Sequence, residues 1–159
     1  MKKYLSIILL FISMKSFACD CGIKKLSEWQ KSEIENSECI FVGEVFEINK
    51  TDLTFKIKVT ESLDGGDAIG NIYIGKNWAY CSPYVEKKGT WIVYGQMEDG
   101  YLRLNMCGIS RSFDNPVVSP FILPSSESES EKAKSKIIRV ALSELELEIT
   151  ALRKRRDEE

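Results

Sequence analysis

The chain contains no histidine. Imidazole is the base of Ser-His-Asp and Cys-His catalysis and the ligand of many metal sites, so those chemistries are excluded. No segment of about 20 apolar residues occurs, the length a helix needs to cross a bilayer. Neither sign of charge dominates, with 22 basic residues against 24 acidic ones. Such a balance leaves no general polycationic surface for nucleic acid or an anionic membrane. What remains is 159 residues, 43% apolar and 29% charged, enough for one globular domain with its own core.

Residues 1–18 have the layout of a signal peptide. Met1, Lys2 and Lys3 form a basic start, and Leu5 to Ile12 is a short apolar run. Ser16-Phe17-Ala18 then places small residues at the −3 and −1 positions of a cleavage site. Cleavage after Ala18 removes Lys2, Lys3 and Lys15, which leaves a mildly acidic mature chain. The expected location is secreted, or periplasmic and at the cell envelope. All five cysteines (Cys19, Cys21, Cys39, Cys81 and Cys107) lie beyond the cut, where an oxidising compartment favours disulfides. Five is odd. Either Cys39 is a buried free thiol at the start of a strand, or Cys19 carries a lipid and the other four form two bridges. A lipidation signal wants a leucine-like residue at −3 and a small one at −2; Ser16 and Phe17 stand there instead.

Residues 19–124 are predicted to form one β-rich domain. A short amphipathic helix is expected over Ile23 to Ser37, where Ile23, Leu26, Trp29 or Gln30, and Ile34 recur at helical spacing. Cys39 to Ile48 is rich in β-branched and aromatic residues, and Leu53 to Val59 alternates apolar with polar, so these two form a hairpin. Further strands are expected at Asn71 to Ile74, Thr90 to Tyr94 and Tyr101 to Met106, the last two joined by a tight turn at Glu98-Asp99-Gly100. Five short strands with tight turns predict a small closed barrel of the OB type. The fold class is therefore mainly β with flanking helices. A Ser/Glu-rich linker follows at 125–131, and 132–159 is predicted to be a helix. Along it Ile138, Leu142, Leu145, Ile149 and Leu152 form one apolar seam, with a cationic end at Arg153 to Arg156.

Three features occur in order. Cys19-Asp20-Cys21 opens the predicted mature chain, Cys81 sits in a loop before Gly89-Thr90-Trp91-Ile92-Val93-Tyr94-Gly95, and Asp99 to Cys107 closes the fifth strand. The arrangement resembles the inhibitory domain of the tissue inhibitors of metalloproteinases, a netrin-like OB-fold, over roughly Cys19 to Arg111. The resemblance implies bridges Cys19–Cys81 and Cys21–Cys107. It also implies that the amine and carbonyl of Cys19 chelate the catalytic zinc of a metalloendopeptidase, in the open coordination position. Asp20 would then probe the enzyme's specificity pocket, with Cys21 and Gly22 completing the inhibitory ridge. Asp20 stands where the family has a small hydroxyl residue, and Gly22 where it often has proline. The family's third bridge lacks its second half, since no cysteine follows Cys107.

On this reading the protein is not an enzyme, takes no cofactor, holds no metal of its own and binds no nucleic acid. Its partner would be a zinc metalloprotease. Trp78, Tyr80 and Tyr84 around Cys81 would either add to the contact ridge or pack the loop. The alternative function is a non-inhibitory, envelope-associated or lipid-anchored binding module. It would use the same barrel, with the 132–159 seam contacting a partner or a second copy; packing of that seam on the protein's own barrel is the competing reading. An enzyme is disfavoured because the carboxylates lie in charge-mixed surface patterns and Cys-x-Cys is not the Cys-x-x-Cys of thiol oxidoreductases.

Overall fold

The run Cys-Ile-Phe-Val at 39–42 is apolar at every position, so a strand built from it has to be covered on both faces. The computed structural model describes residues 21–22, 24–79, 81, 83–118 and 127–158, and it provides both covers. Strand β1 (Cys39–Asn49) directs Cys39, Phe41 and Val45 into one buried cluster and Ile40 and Val42 into another. Residues 1–18, where a signal peptide is expected, lie outside the described residues, as does Ile23.

Five strands close a mixed barrel. These are β1, β2 (Thr54–Ser62), β3 (Ile72–Lys76), β4 (Gly89–Glu98) and β5 (Tyr101–Leu104). Their order is β1-β2-β3-β5-β4, and β4 pairs back with β1 to close the ring. The neighbours β3 and β5 run parallel while the other pairs are antiparallel. This is the small closed barrel of five strands that the strand pattern predicted; the parallel pair β3–β5 was not signalled. A two-residue strand β6 (Arg111–Ser112), which the sequence did not signal, adds to β4. The β4–β5 hairpin turns through Asp99 and Gly100, both at positive φ, as a two-residue turn of this twist requires. Leu53, expected to begin the second strand, instead sits in the preceding turn with φ 57°.

Phe41, Val45, Phe55, Ile57, Val59, Trp91, Val93, Leu102 and Leu104 fill the barrel interior. Outside it, Ile40, Val42, Ile92 and Tyr94 are covered by two helices. Helix α1 (Leu26–Asn36) begins with the Glu28 carboxylate accepting from the Lys25 backbone N–H, which satisfies one free donor of the first turn. Helix α2 spans Glu127–Glu158, so residues 127–131 of the expected linker are helical. Leu145, Ile149 and Leu152 of its seam are buried against the barrel's outer face, whereas Ile138 is 40% exposed. The barrel itself therefore covers this part of the seam. Each such side chain contributes about 1.5–3 kcal/mol on burial. The exposed bidentate pair Arg153–Glu61 at the helix end, with both contacts at 2.6 Å, adds at most about 1 kcal/mol. Apolar docking dominates. Among the described residues, no helix is long and apolar enough to cross a membrane.

Gly75 of β3 lies opposite Phe55 of β2, and a β-carbon there would overlap the Phe55 ring. The ring occupies the space that any side chain would need. Gly75→Ala should therefore destabilise the barrel by about 1–3 kcal/mol through overpacking. Urea denaturation would show this as a lower midpoint with little change in slope. An unchanged midpoint would mean that Phe55 moves aside at no cost.

Candidate functional site

Strand β5 ends at Leu104, and the chain passes through a loop, 105–110, before β6. Cys107 in this loop has φ 59°, an uncommon conformation for a residue with a β-carbon. It is bonded to Cys21, with Cα atoms 5.3 Å apart and 86 positions of sequence between them. In the chain-entropy treatment, closing so long a loop stabilises by about 4–5 kcal/mol. The bridge ties the N-terminal segment to the end of β5. Cys81 is also disulfide-bonded. Its expected partner, Cys19, lies outside the described residues, as do Asp20 and Tyr80.

A cleft of about 580 Å³ runs beside the bridge. Cys21, Gly22, Cys81, Tyr84, Trp91 and Cys107 all line it, and Lys87, Lys88 and Glu86 lie at the same cleft. Cys21, Gly22, Cys81, Tyr84 and Cys107, all candidate site residues of the sequence, thus meet at one place. Asn77 holds the loop that carries Cys81. Its amide nitrogen donates to the Val85 carbonyl at 2.9 Å, and its oxygen accepts from the Val85 N–H at 2.8 Å. Tyr84 is 38% exposed at the cleft. Trp78 is elsewhere: its indole N–H donates to the Leu104 carbonyl at 2.8 Å, and the Arg103 guanidinium stacks over its ring at 4.6 Å. That side chain fastens the loop to β5 and does not border the cleft.

Cys39 is a free, buried thiol inside the barrel, which accounts for the odd cysteine. Burial, with the carboxylates of Asp67, Asp64 and Glu38 adding, pushes its pKa up to about 12. At neutral pH it is a small apolar side chain. Among the described residues, no three Cys, Asp or Glu side chains come together to hold a metal ion.

The loop bearing Cys107 is braced from behind by buried polar groups. Glu33 of α1 accepts from the Asn105 amide at 2.7 Å, and the same amide reaches the Ser37 hydroxyl at 3.0 Å. Arg111 donates to the Ile109 carbonyl at 2.8 Å and to the Glu148 carboxylate at 2.7 Å. Glu148 also accepts from the Tyr94 hydroxyl at 2.6 Å and from Gln30 at 2.9 Å. The side chains of the Arg111–Glu148 pair are only 5% and 3% exposed. Desolvation, with the neighbouring Glu148 charge adding and the Asn105 hydrogen bond opposing, raises the Glu33 pKa above the usual carboxylate range. Burial and Glu148 hold the Tyr94 phenol far above its ordinary value, so it stays a donor.

Sequence reasoning singled out none of Glu33, Asn77, Tyr94, Arg111 and Glu148 as site residues. One signal was present. Glu148 falls on the same stripe as Leu145, Ile149 and Leu152, a charge where the spacing calls for an apolar residue. No protein-family model and no curated protein matches this chain.

The raised pKa of Glu33 has a sign that can be measured. The unfolded chain releases this proton near the ordinary carboxylate value, while the folded chain holds it to higher pH. The protonated group thus favours folding at low pH, and that contribution is lost as pH rises through the folded pKa. Glu33→Gln keeps an oxygen for Asn105 and removes the charge. Its stability relative to the native protein should increase as pH is raised from 4 towards neutrality, followed by thermal unfolding across that range. A difference that stays flat or reverses would show that Glu33 ionises at no cost.

Proposed function

We propose that this chain is an exported inhibitor of zinc metalloendopeptidases, acting through the free amine and carbonyl of Cys19. The observation that supports this reading is the Cys21–Cys107 bridge on an OB-type barrel, two residues beyond the predicted mature terminus. The amine nitrogen and carbonyl oxygen of one residue, three bonds apart, close a five-membered ring on a metal. They present both atoms to a target's zinc only if the terminus is held in place, and a disulfide at the next residue but one provides such a hold. A disulfide also fits a compartment outside the cytoplasm. The α-amine has a pKa of about 7.7–8.0 and must be neutral to bind metal, so the zinc itself would assist its deprotonation. Asp20 would enter the target's specificity pocket and Gly22 would follow the ridge. The cleft beside Cys21 and Cys81, with Tyr84 exposed on it, would flank the contact.

The second reading, an envelope-associated or lipid-anchored module, draws on Ile138 and Val140, which are 40% and 50% exposed near the start of α2. Seam residues Leu145, Ile149 and Leu152 are already covered by the barrel, so self-association would have to use the upstream turns.

Adding one alanine before Cys19 discriminates between these readings. It converts the amine to an amide, a poor metal ligand, and pushes bulk into the metal site. Against a zinc endopeptidase that the native protein inhibits, inhibition should fall by more than a hundredfold while the thermal unfolding midpoint stays unchanged. Equal inhibition by the extended form would rule out chelation by Cys19. If neither form inhibits any zinc endopeptidase, the reading shifts to the envelope module. Asp20→Thr should tighten binding to a protease with an apolar pocket, because an unpaired carboxylate costs several kcal/mol to desolvate. Weaker binding of that variant would indicate a cationic pocket.

A further inference from the structure

The bridge to Cys21 can place the N-terminal edge only as firmly as the loop bearing Cys107 is itself held. That loop leaves the barrel after Leu104 and contains a residue at positive φ. Its ends are tied to Tyr94 of β4, by the Asn105 N–H at 3.3 Å and by the Ser110 hydroxyl, and the Gly108 N–H donates to the Asn105 carbonyl at 2.9 Å. Its remaining polar supports come from the two helices. Glu33 of α1 holds Asn105, and a β-carbon on Gly108 would come within 2.8 Å of the Glu33 carboxylate, so the helix and the loop touch without a gap. On the far side, Arg111 grips the Ile109 carbonyl and is itself held by Glu148 of α2. Glu148 in turn reaches Tyr94 of β4 and Gln30 of α1. One carboxylate thus joins both helices, the sheet and the loop.

We infer that the C-terminal helix supports the N-terminal edge, and that Glu148 is the positioning residue that fixes the Cys107 loop through Arg111. The energetics favour this over a role in stability alone. A buried ion pair carries a desolvation penalty that its attraction roughly offsets, and apolar replacements of similar size are often neutral. What an apolar pair cannot supply is direction, namely the donor aimed at the Ile109 carbonyl. The apolar contacts of Leu145, Ile149 and Leu152 dock α2 in any case. In effect, the pair sets where the loop sits. The link to inhibition rests on the function proposed above; the link to the loop does not.

The test is the variant Arg111→Met combined with Glu148→Met and Tyr94→Phe in the full chain, the last change removing the buried hydroxyl that would otherwise lose its acceptor. Its global denaturation midpoint should stay near that of the native protein. Reduction of the Cys21–Cys107 bond by dithiothreitol, followed by alkylation and peptide mapping, should accelerate by on the order of tenfold, since local opening controls access. The disulfide at Cys81 provides an internal reference and should open at its native rate. Arg111→Lys, which keeps the buried charge pair but lacks the second guanidinium nitrogen aimed at the Ile109 carbonyl, should show the same selective acceleration and serves should the combined variant fold poorly. Reduction of Cys21–Cys107 at the native rate in either folded variant would overturn the inference. Equal acceleration of both disulfides would also overturn it, since the pair would then act on the whole fold. Against a zinc endopeptidase inhibited by the native protein, the variants should be weaker by a similar factor. If the native protein inhibits none, the proposed function fails while the reduction rates still decide the role of Glu148.

Discussion

Everything in this molecule is arranged around β1, which is paired along both of its edges. It pairs with β2 on one side and β4 on the other, and so closes the ring that a sheet of five strands would otherwise leave open. An open edge exposes unpaired N–H and C=O groups, and closure removes both edges at once. The cost is curvature. The register with β2 slips between Val42 and Gly43 and again between Val45 and Glu47, and such bulges bend and twist a strand. Because β1 is buried on both faces for its first half, it feeds the barrel interior and the layer beneath the helices at once. Core packing and helix docking are coupled through this one strand.

The coupling explains why polar groups occur so deep in the structure. The layer outside the barrel contains Tyr94, whose hydroxyl cannot reach water and must find an acceptor. Glu148 is that acceptor, and a buried carboxylate in turn needs a cation, which Arg111 supplies. Each group answers the demand created by the last. Ser110 closes the same layer, its hydroxyl receiving the Tyr94 N–H at 2.8 Å and donating to the Tyr94 carbonyl at 3.0 Å. An all-apolar layer would pack as well but would leave the angle of α2 on the barrel less defined.

The strands were legible in the sequence because alternation survives translation into structure. Phe55, Ile57 and Val59 line the barrel interior as their spacing required, and the Asp99-Gly100 turn follows from its residue types. The pairing of Cys21 with Cys107 came from the resemblance, since spacing alone does not choose among the ways to join five cysteines. What could not be read was contact at a distance. Glu33 and Asn105 lie 72 positions apart, and Tyr94 and Glu148 lie 54 apart, and no local pattern announces either pair. Trp78 shows the converse. The sequence offered a contact ridge or loop packing for this aromatic but could not name its neighbour in space, Arg103, 25 positions further along the chain.

On the proposed reading, α2 also answers a question that the departures from the family raise. The inhibitors that the chain is proposed to resemble use a third bridge, whereas Cys39 is a free, buried thiol here. A disulfide closing a loop of ordinary length contributes about 2–4 kcal/mol. Burying Leu145, Ile149 and Leu152 at about 1.5–3 kcal/mol each matches or exceeds that before the ordering of the helix is subtracted. Noncovalent docking can therefore replace the missing bridge in magnitude. It differs in kind, because a disulfide constrains two points, whereas a docked helix constrains a surface. The surface in question lies behind Tyr94, Arg111 and the Cys107 loop. Cys39, freed from bridging, can then serve as core packing, and its thiol is sealed between β1 and β4 where Gly95 leaves room for it.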